Sequence, residues 1–171
     1  MPFAYAWTDG IAQDGFVEGF VEFHLARQRN WRVDDWGLEL AVFADGRPMG
    51  FQSLNGVDFV TARRAATGSW LGRRFQGIGY GTEMRAAVLE LAFAGLGAEL
   101  AVSGHVEGNM QSLRVSEKLG YEPAGEGTVA PRGEPLRELK VELTRERWAS
   151  MSRPEVAIDG LEPCLPLFGL G

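Results

Sequence analysis

Four glycines fall within the ten residues Gly72-Arg-Arg-Phe-Gln-Gly77-Ile-Gly79-Tyr-Gly81, directly after a strand-like stretch and before the most regular helical pattern in the chain. A glycine turn that opens a helix gathers several backbone N–H groups and the positive end of the helix dipole at one spot, an arrangement that holds phosphates. Alternating glycines at 77, 79 and 81 also let a ligand approach the backbone without meeting side chains. The chain has 23 glycines in 171 residues with no collagen-like period, so these residues serve turns and close approaches.

The elements around this turn predict one mixed α/β domain. Phe16, Phe20 and Phe23 recur at helical spacing over residues 14–29, as a stripe that packs into a core. Strands are expected at 38–43 and 49–54, joined by the turn Asp45-Gly46-Arg47-Pro48, and a third at 66–71 after the polar link 61–64. A helix over 81–96 follows, with Thr82 as its N-cap and Gly95 and Gly97 as stops, then a strand at 100–106 and a short helix at 110–119 closed by Gly120. A Gly/Pro-rich loop, 125–135, leads to a last strand at 136–143. Residues 1–150 make the domain. Residues 151–171 form a prolyl, apolar tail expected to lie extended on its own domain or on a partner subunit.

Composition removes several functional classes. Seventeen Lys and Arg against 23 Asp and Glu give a formal charge of -6, which provides no general attraction for nucleic acid. The single cysteine, Cys164, excludes an internal disulfide and suits a reducing compartment, so the cytoplasm is expected. No apolar run is long enough to span a membrane. Two separated histidines, His24 and His105, predict no metal site.

Two phosphate-loop patterns fail at specific letters. The dinucleotide fingerprint G-x-G-x-x-G meets Thr82 where its third glycine belongs, and the mononucleotide loop meets Ile78 and Gly79 in place of Lys and Ser/Thr. A nucleotide-binding α/β protein is thereby disfavoured.

What does fit is Gln76-x-x-Gly79-x-Gly81, which is similar to the [Arg/Gln]-x-x-Gly-x-[Gly/Ala] signature of the GNAT superfamily of acyl-CoA-dependent N-acyltransferases. Downstream, Asn109-Met-Gln-Ser112-Leu-Arg-Val115-Ser-Glu-Lys-Leu-Gly120-Tyr121 resembles the N-x-x-S-x-x-V-x-E-K-L-G-[FY] ending of the branch that contains the ribosomal-protein N-terminal acetyltransferases, the RimJ/RimL-like group. The resemblance is dense over 69–121 and extends over about 38–143. It implies a mostly antiparallel central sheet flanked by helices, acetyl-CoA as co-substrate, and acetyl transfer to a primary amine of a peptide N-terminus or small molecule by direct attack. The other reading is a non-catalytic acyl-CoA-binding module.

The resemblance also implies roles for particular residues. The amides of Gln76, Gly77, Ile78, Gly79, Tyr80, Gly81 and Thr82 cradle a pyrophosphate, with Arg73 or Arg74 adding charge. The strand residues Ser69, Trp70 and Leu71 pair with the pantetheine arm, and the Leu71 amide stabilises the oxyanion. Asn109 and Ser112 bond the arm or its sulfur end, or else cap the short helix. Many members carry a tyrosine acid five residues before the final aromatic of the motif, and here that position is Ser116, a poor acid. His105, Glu39 and Glu107 are candidates for the base, acting directly or through water, with His105 also readable as a structural histidine. The superfamily usually begins with a further strand, which is expected to be missing or reduced here. The sheet edge so exposed is one that the tail or a second subunit, in a homodimer, could cover.

Overall fold

The computed structural model describes residues 6–171. Residues 7–15 form turns that lead into helix α1, Phe16–Arg29. Strands β1 (Asp35–Ala44) and β2 (Arg47–Val57) form a hairpin closed by Asp45 at φ 49° and Gly46 at φ 72°. Two successive positive φ values give the turn whose twist matches that of the strands. The short helix α2 (Phe59–Ala62) and strand β3 (Arg64–Leu71) follow, and helix α3 (Tyr80–Glu90) crosses over to strand β4 (Leu100–Val106). Helix α4 (Met110–Lys118), strands β5 (Glu122–Val129) and β6 (Leu136–Thr144) and helix α5 (Arg145–Ser150) complete the domain.

The strands form one six-stranded sheet in the order β1-β2-β3-β4-β6-β5. Every neighbouring pair is antiparallel except β3 and β4, which run parallel. This is the mixed, mostly antiparallel sheet that the motifs imply. The part of the first-strand expectation that falls on residues 1–5 lies outside the described residues; among the described residues no strand precedes β1.

The core lies on one face of the sheet. Met84, Ala86, Val88, Leu89, Ala92 and Phe93 turn a nearly continuous apolar side of α3 and its extension toward Leu54, Ala65, Ala101, Val141 and Leu143. The helix departs from the expected 81–96. Its regular part ends at Glu90, a wider π-type turn runs over Leu91–Gly95, and Gly97 at φ 72° turns the chain away. Gly79, not Thr82, occupies its N-cap, because a positive φ of 106° is needed where the loop enters the helix.

Four other expectations are corrected. The aromatic stripe of α1 is not core: no residue of that helix is buried and Phe23 is 58% exposed. α1 lies across the opposite face of the sheet, away from α3. The link at 61–64 contains the end of α2, whose Phe59 is fully buried. The Gly/Pro-rich stretch begins as strand: residues 125–129 belong to β5, which pairs along β6 with a bulge between Pro123 and Gly125 at a sheet edge, where proline is tolerated, and only 130–135 are loop. The end of the tail is a 3₁₀ helix, Glu162–Phe168, not extended chain. Phe168, 3% exposed, meets Trp36 edge-on at 4.9 Å, and the Trp31 indole N–H donates to the Leu167 carbonyl at 2.8 Å.

Replacing Phe168 by Ala is therefore expected to destabilise the protein by about 3–5 kcal/mol in urea unfolding. Leu167→Ala, at a side chain 53% exposed, should change stability by less than about 0.5 kcal/mol.

Candidate active site

β3 and β4 pair through only three residues each, Arg64↔Leu100, Ala65↔Ala101 and Ala66↔Val102. Beyond Ala66 the two strands continue to Leu71 and Val106 without a ladder, so a crevice opens in the middle of the sheet. On its other side β3 stays paired with β2 up to Gly50↔Leu71, and the Gly72 N–H donates to the Met49 carbonyl at 2.8 Å. Antiparallel alternation then turns the backbone groups of Thr67, Ser69 and Leu71 away from β2 and into the crevice. Two of these groups are already occupied. The Ser103 hydroxyl donates to the Thr67 carbonyl at 3.3 Å, and the Gln76 side chain donates to the Leu71 carbonyl at 2.8 Å.

The glycine turn sits at the mouth of this crevice. Gly77 (φ 79°) and Gly79 (φ 106°) hold left-handed conformations, and a Cβ on either would meet nothing within 4 Å. Tyr80 and Gly81 begin the helix, so their N–H groups lack intrahelical acceptors, and those of Gly77, Ile78 and Gly79 make no backbone hydrogen bond. Gly81 is different. Its φ is not positive, and a Cβ there would make ordinary contacts with Val115 and Leu71 at 3.6 and 3.7 Å, which explains why Gly or Ala suits this position.

This geometry agrees with the comparisons. Residues 5–122 match a family model described as an acetyltransferase (GNAT) domain. The chain belongs to the GNAT acetyltransferases. Among solved structures, it resembles RimJ from Mycobacterium smegmatis in complex with CoA-disulfide, at 20% identity and TM-score 0.67, covering 83% of this chain and 71% of that one. It also resembles a spermidine N-acetyltransferase from Vibrio cholerae in complex with CoA and spermine, at 13% identity and TM-score 0.67, covering 86% and 84%. At these identities the structures show a shared fold.

Coenzyme A, which the GNAT family implies, fits what is present: a row of open amides at a helix start, glycines whose Cβ positions face space, and a strand edge with free backbone groups. Gln76 is bonded within the loop, so its side chain shapes the turn. Arg73 and Arg74 are exposed, and the Arg74 guanidinium rests over the Phe75 ring at 4.7 Å. Asn109 caps α4, its side chain accepting from the Ser112 N–H at 3.2 Å.

The crevice side facing α3 holds the remaining GNAT-motif residues. His105 is 1% exposed, its Nδ1 lies 2.8 Å from the Ser112 hydroxyl, and its Nε2 has no partner. Burial, aided by the Arg85 charge, pushes its pKa down to about 4, so the ring is neutral near pH 7. Ser116 is fully buried and its hydroxyl has no partner. Tyr121 places its hydroxyl 3.2 Å from Thr67 Oγ1, and burial raises its pKa. Arg85, which the motifs do not mark, bonds Ser69 Oγ at 2.9 Å and Ser103 Oγ at 3.4 Å. Its signal in the sequence is positional: it stands four residues after Gly81 and four before Leu89, in the row that faces inward.

Glu39 occupies the other face. It lies under α1, 3.5 Å from the Arg27 guanidinium, and burial raises its carboxyl pKa more than Arg27 and His24 lower it. Arg27 also bonds Asn55, and a Cβ on Gly37 would collide with its guanidinium. Beside this pair an aromatic surface runs from His24, stacked on Phe51 at 4.6 Å, to Trp70 and Trp7. Glu107 is not part of either face. It is exposed and pairs with Arg137.

Gly79→Ala is expected to weaken coenzyme A binding at least tenfold in calorimetry through its forced φ, whereas Gly81→Ala should bind normally. A second expectation concerns pH. The unfolded imidazole takes up its proton near 6.5 and the folded His105 only near 4, so stability falls as pH drops through that window. The loss at its lower end is about 3 kcal/mol, and urea unfolding of His105→Gln should show a correspondingly flatter pH dependence.

Proposed function

We propose that this GNAT enzyme binds acetyl-CoA along the β3 side of the crevice and transfers the acetyl group to a primary amine, of a peptide N-terminus or a small molecule, arriving from the α1 face. The observation that carries this reading is the free edge of β3 beyond Ala66 beside the open amides of Gly77 through Gly81. An extended pantetheine arm adds to such an edge as a strand would: coming from the phosphate turn it meets the Leu71 N–H first and brings its thioester end to the N–H and C=O of Ser69, so the oxyanion donor is the Ser69 amide rather than that of Leu71. The pyrophosphate sits on the amides of residues 76–82, with Arg73 or Arg74 adding charge. RimJ and the spermidine enzyme, each solved with a form of coenzyme A, support the same placement by their shared fold. The net charge of -6 favours a cationic amine or basic peptide over an acidic acceptor. The cytoplasm suits a chain with one cysteine.

The reaction is direct attack of the neutral amine on the thioester carbonyl carbon. The amine must first lose a proton, and Glu39 is the better base. Its raised carboxyl lies on the face the amine approaches, whereas His105 lies on the opposite face and is sealed from solvent. Glu39 is level with Ser53 and Gly68 across the sheet, about 10 Å from the crevice at two strand spacings, so the proton passes through water. Arg27 holds the carboxylate in place. Ser112 is fixed by His105 at the start of α4, where a serine hydroxyl donates a hydrogen bond without acting as a strong acid, and Ser116 one turn further on is fully buried.

Acetyl-CoA turnover measured by thiol release against a panel of peptides and polyamines tests the activity; no release above hydrolysis with any amine would overturn it. Glu39→Gln should lower kcat by about 10²-fold with little change in KM for acetyl-CoA. It should also remove the acidic limb of the pH–rate profile, on which activity falls as the carboxylate gains its proton. An unchanged kcat and profile would exclude Glu39 as the base.

A further inference from the structure

Arg85 is the one Asp, Glu, Lys or Arg side chain buried among the described residues, at 2% exposure. A charged guanidinium in a protein interior is normally matched by a carboxylate, because its desolvation is otherwise uncompensated. Here no carboxylate forms an ion pair with it among the described residues. Its partners are neutral hydroxyls, Ser69 on β3, Ser103 on β4 and Tyr121 after α4, and its Nε has none. Ser103 lies one residue and Ser69 three residues past the last β3–β4 pair, so the guanidinium spans the crevice near where it opens. Six residues of helix place Arg85 about 9 Å along α3 from Gly79, inward from the phosphate end.

We infer that Arg85 is a catalytic residue whose guanidinium, held across the crevice by Ser69 and Ser103, receives the negative charge carried by the departing coenzyme A sulfur. The inference rests on coenzyme A binding as proposed above. In the step concerned the amine nitrogen forms its bond to the carbonyl carbon, the C–S bond breaks, and the electron pair leaves with the sulfur. The nitrogen gives up its second proton through water to the base, which has by then passed the first to solvent, and Arg85 neither gives nor takes a proton. An anion formed beside a fixed cation that is itself shielded from solvent is stabilised more than in bulk water. The chain thereby has a way to release a thiolate without the tyrosine acid that Ser116 replaces.

The other groups facing this spot add no charge near neutral pH. On β4, His105 is neutral, and after α4 the Tyr121 hydroxyl is held protonated by burial. Thr67, bonded to Tyr121, and Ser69 come from β3, and Ser112, bonded to His105, from α4; all are uncharged hydroxyls. Arg73 and Arg74 belong to the exposed turn at the phosphate end.

The test titrates coenzyme A bound to the enzyme, following thiolate absorbance in the ultraviolet against pH, with calorimetry to establish binding. In the wild type the bound thiol should ionise at least one pH unit below free coenzyme A, a tenfold greater thiolate fraction at a given pH. Arg85→Met should return it to the free value and lower kcat by about 10²-fold, with a smaller change in KM for acetyl-CoA. Arg85→Lys should keep part of the shift. Coenzyme A that binds with its thiol titrating as in free solution, or equally in wild type and Arg85→Met, overturns the role of Arg85 while leaving the binding site intact. Should Arg85→Met fail to fold, the wild-type titration and Arg85→Lys decide the matter alone. No binding of coenzyme A to the wild type would overturn the proposed site and this inference together.

Discussion

Three residue pairs hold β3 to β4, and the function of the fold depends on that ladder being so short. A continued ladder would satisfy every backbone group of both strands and leave a closed sheet. Ending it at Ala66 leaves Ser69 and Leu71 with backbone groups that point at no partner strand, in the centre of a rigid sheet. Such groups are costly to leave unmet, so the crevice is predisposed to take an extended, amide-bearing ligand. The strands on either side keep it open: β2 grips β3 to its end, and β6 pairs with β4 along its whole length.

The same split divides the chemistry between two faces. On the α3 side lie a buried cation, a neutral imidazole and several hydroxyls, a set that favours negative charge without supplying a base. On the α1 side lie Glu39, its Arg27 partner and an aromatic surface, the face proposed above to supply the base and receive the amine. Co-substrate and acceptor can thus meet at the gap from opposite faces. Desolvation acts in opposite directions on the two: it holds His105 neutral and raises the Glu39 carboxyl above its ordinary value.

Where the sequence misled, periodicity was read without knowledge of the surface it would face. The Phe16, Phe20 and Phe23 spacing did mark a helix, yet Phe20 rests against His24 and Phe51 on the open face and Phe23 points outward. Glu122–Val129 is rich in Gly and Pro and has weak strand propensity. It is a strand because β6 offers it an edge to pair with. Glu162–Phe168 coils because Phe168 finds the Trp31–Trp36 pair, a contact made across more than a hundred residues.

By itself the sequence determined the strand–turn–helix order, the glycine loop and the family, because positive φ values, helix starts and motif spacing are local properties of the chain. Gly77, Gly79 and the run from Asn109 to Tyr121 were legible for that reason. Only the tertiary structure decided which face each side chain serves. Glu39 and His105 are both candidate bases as letters, and they part because strand register sends them to opposite sides of the sheet. Arg85 reads as one more helix residue until β3 and β4 separate in front of it, since a charge acquires its meaning from what is, or is not, packed beside it.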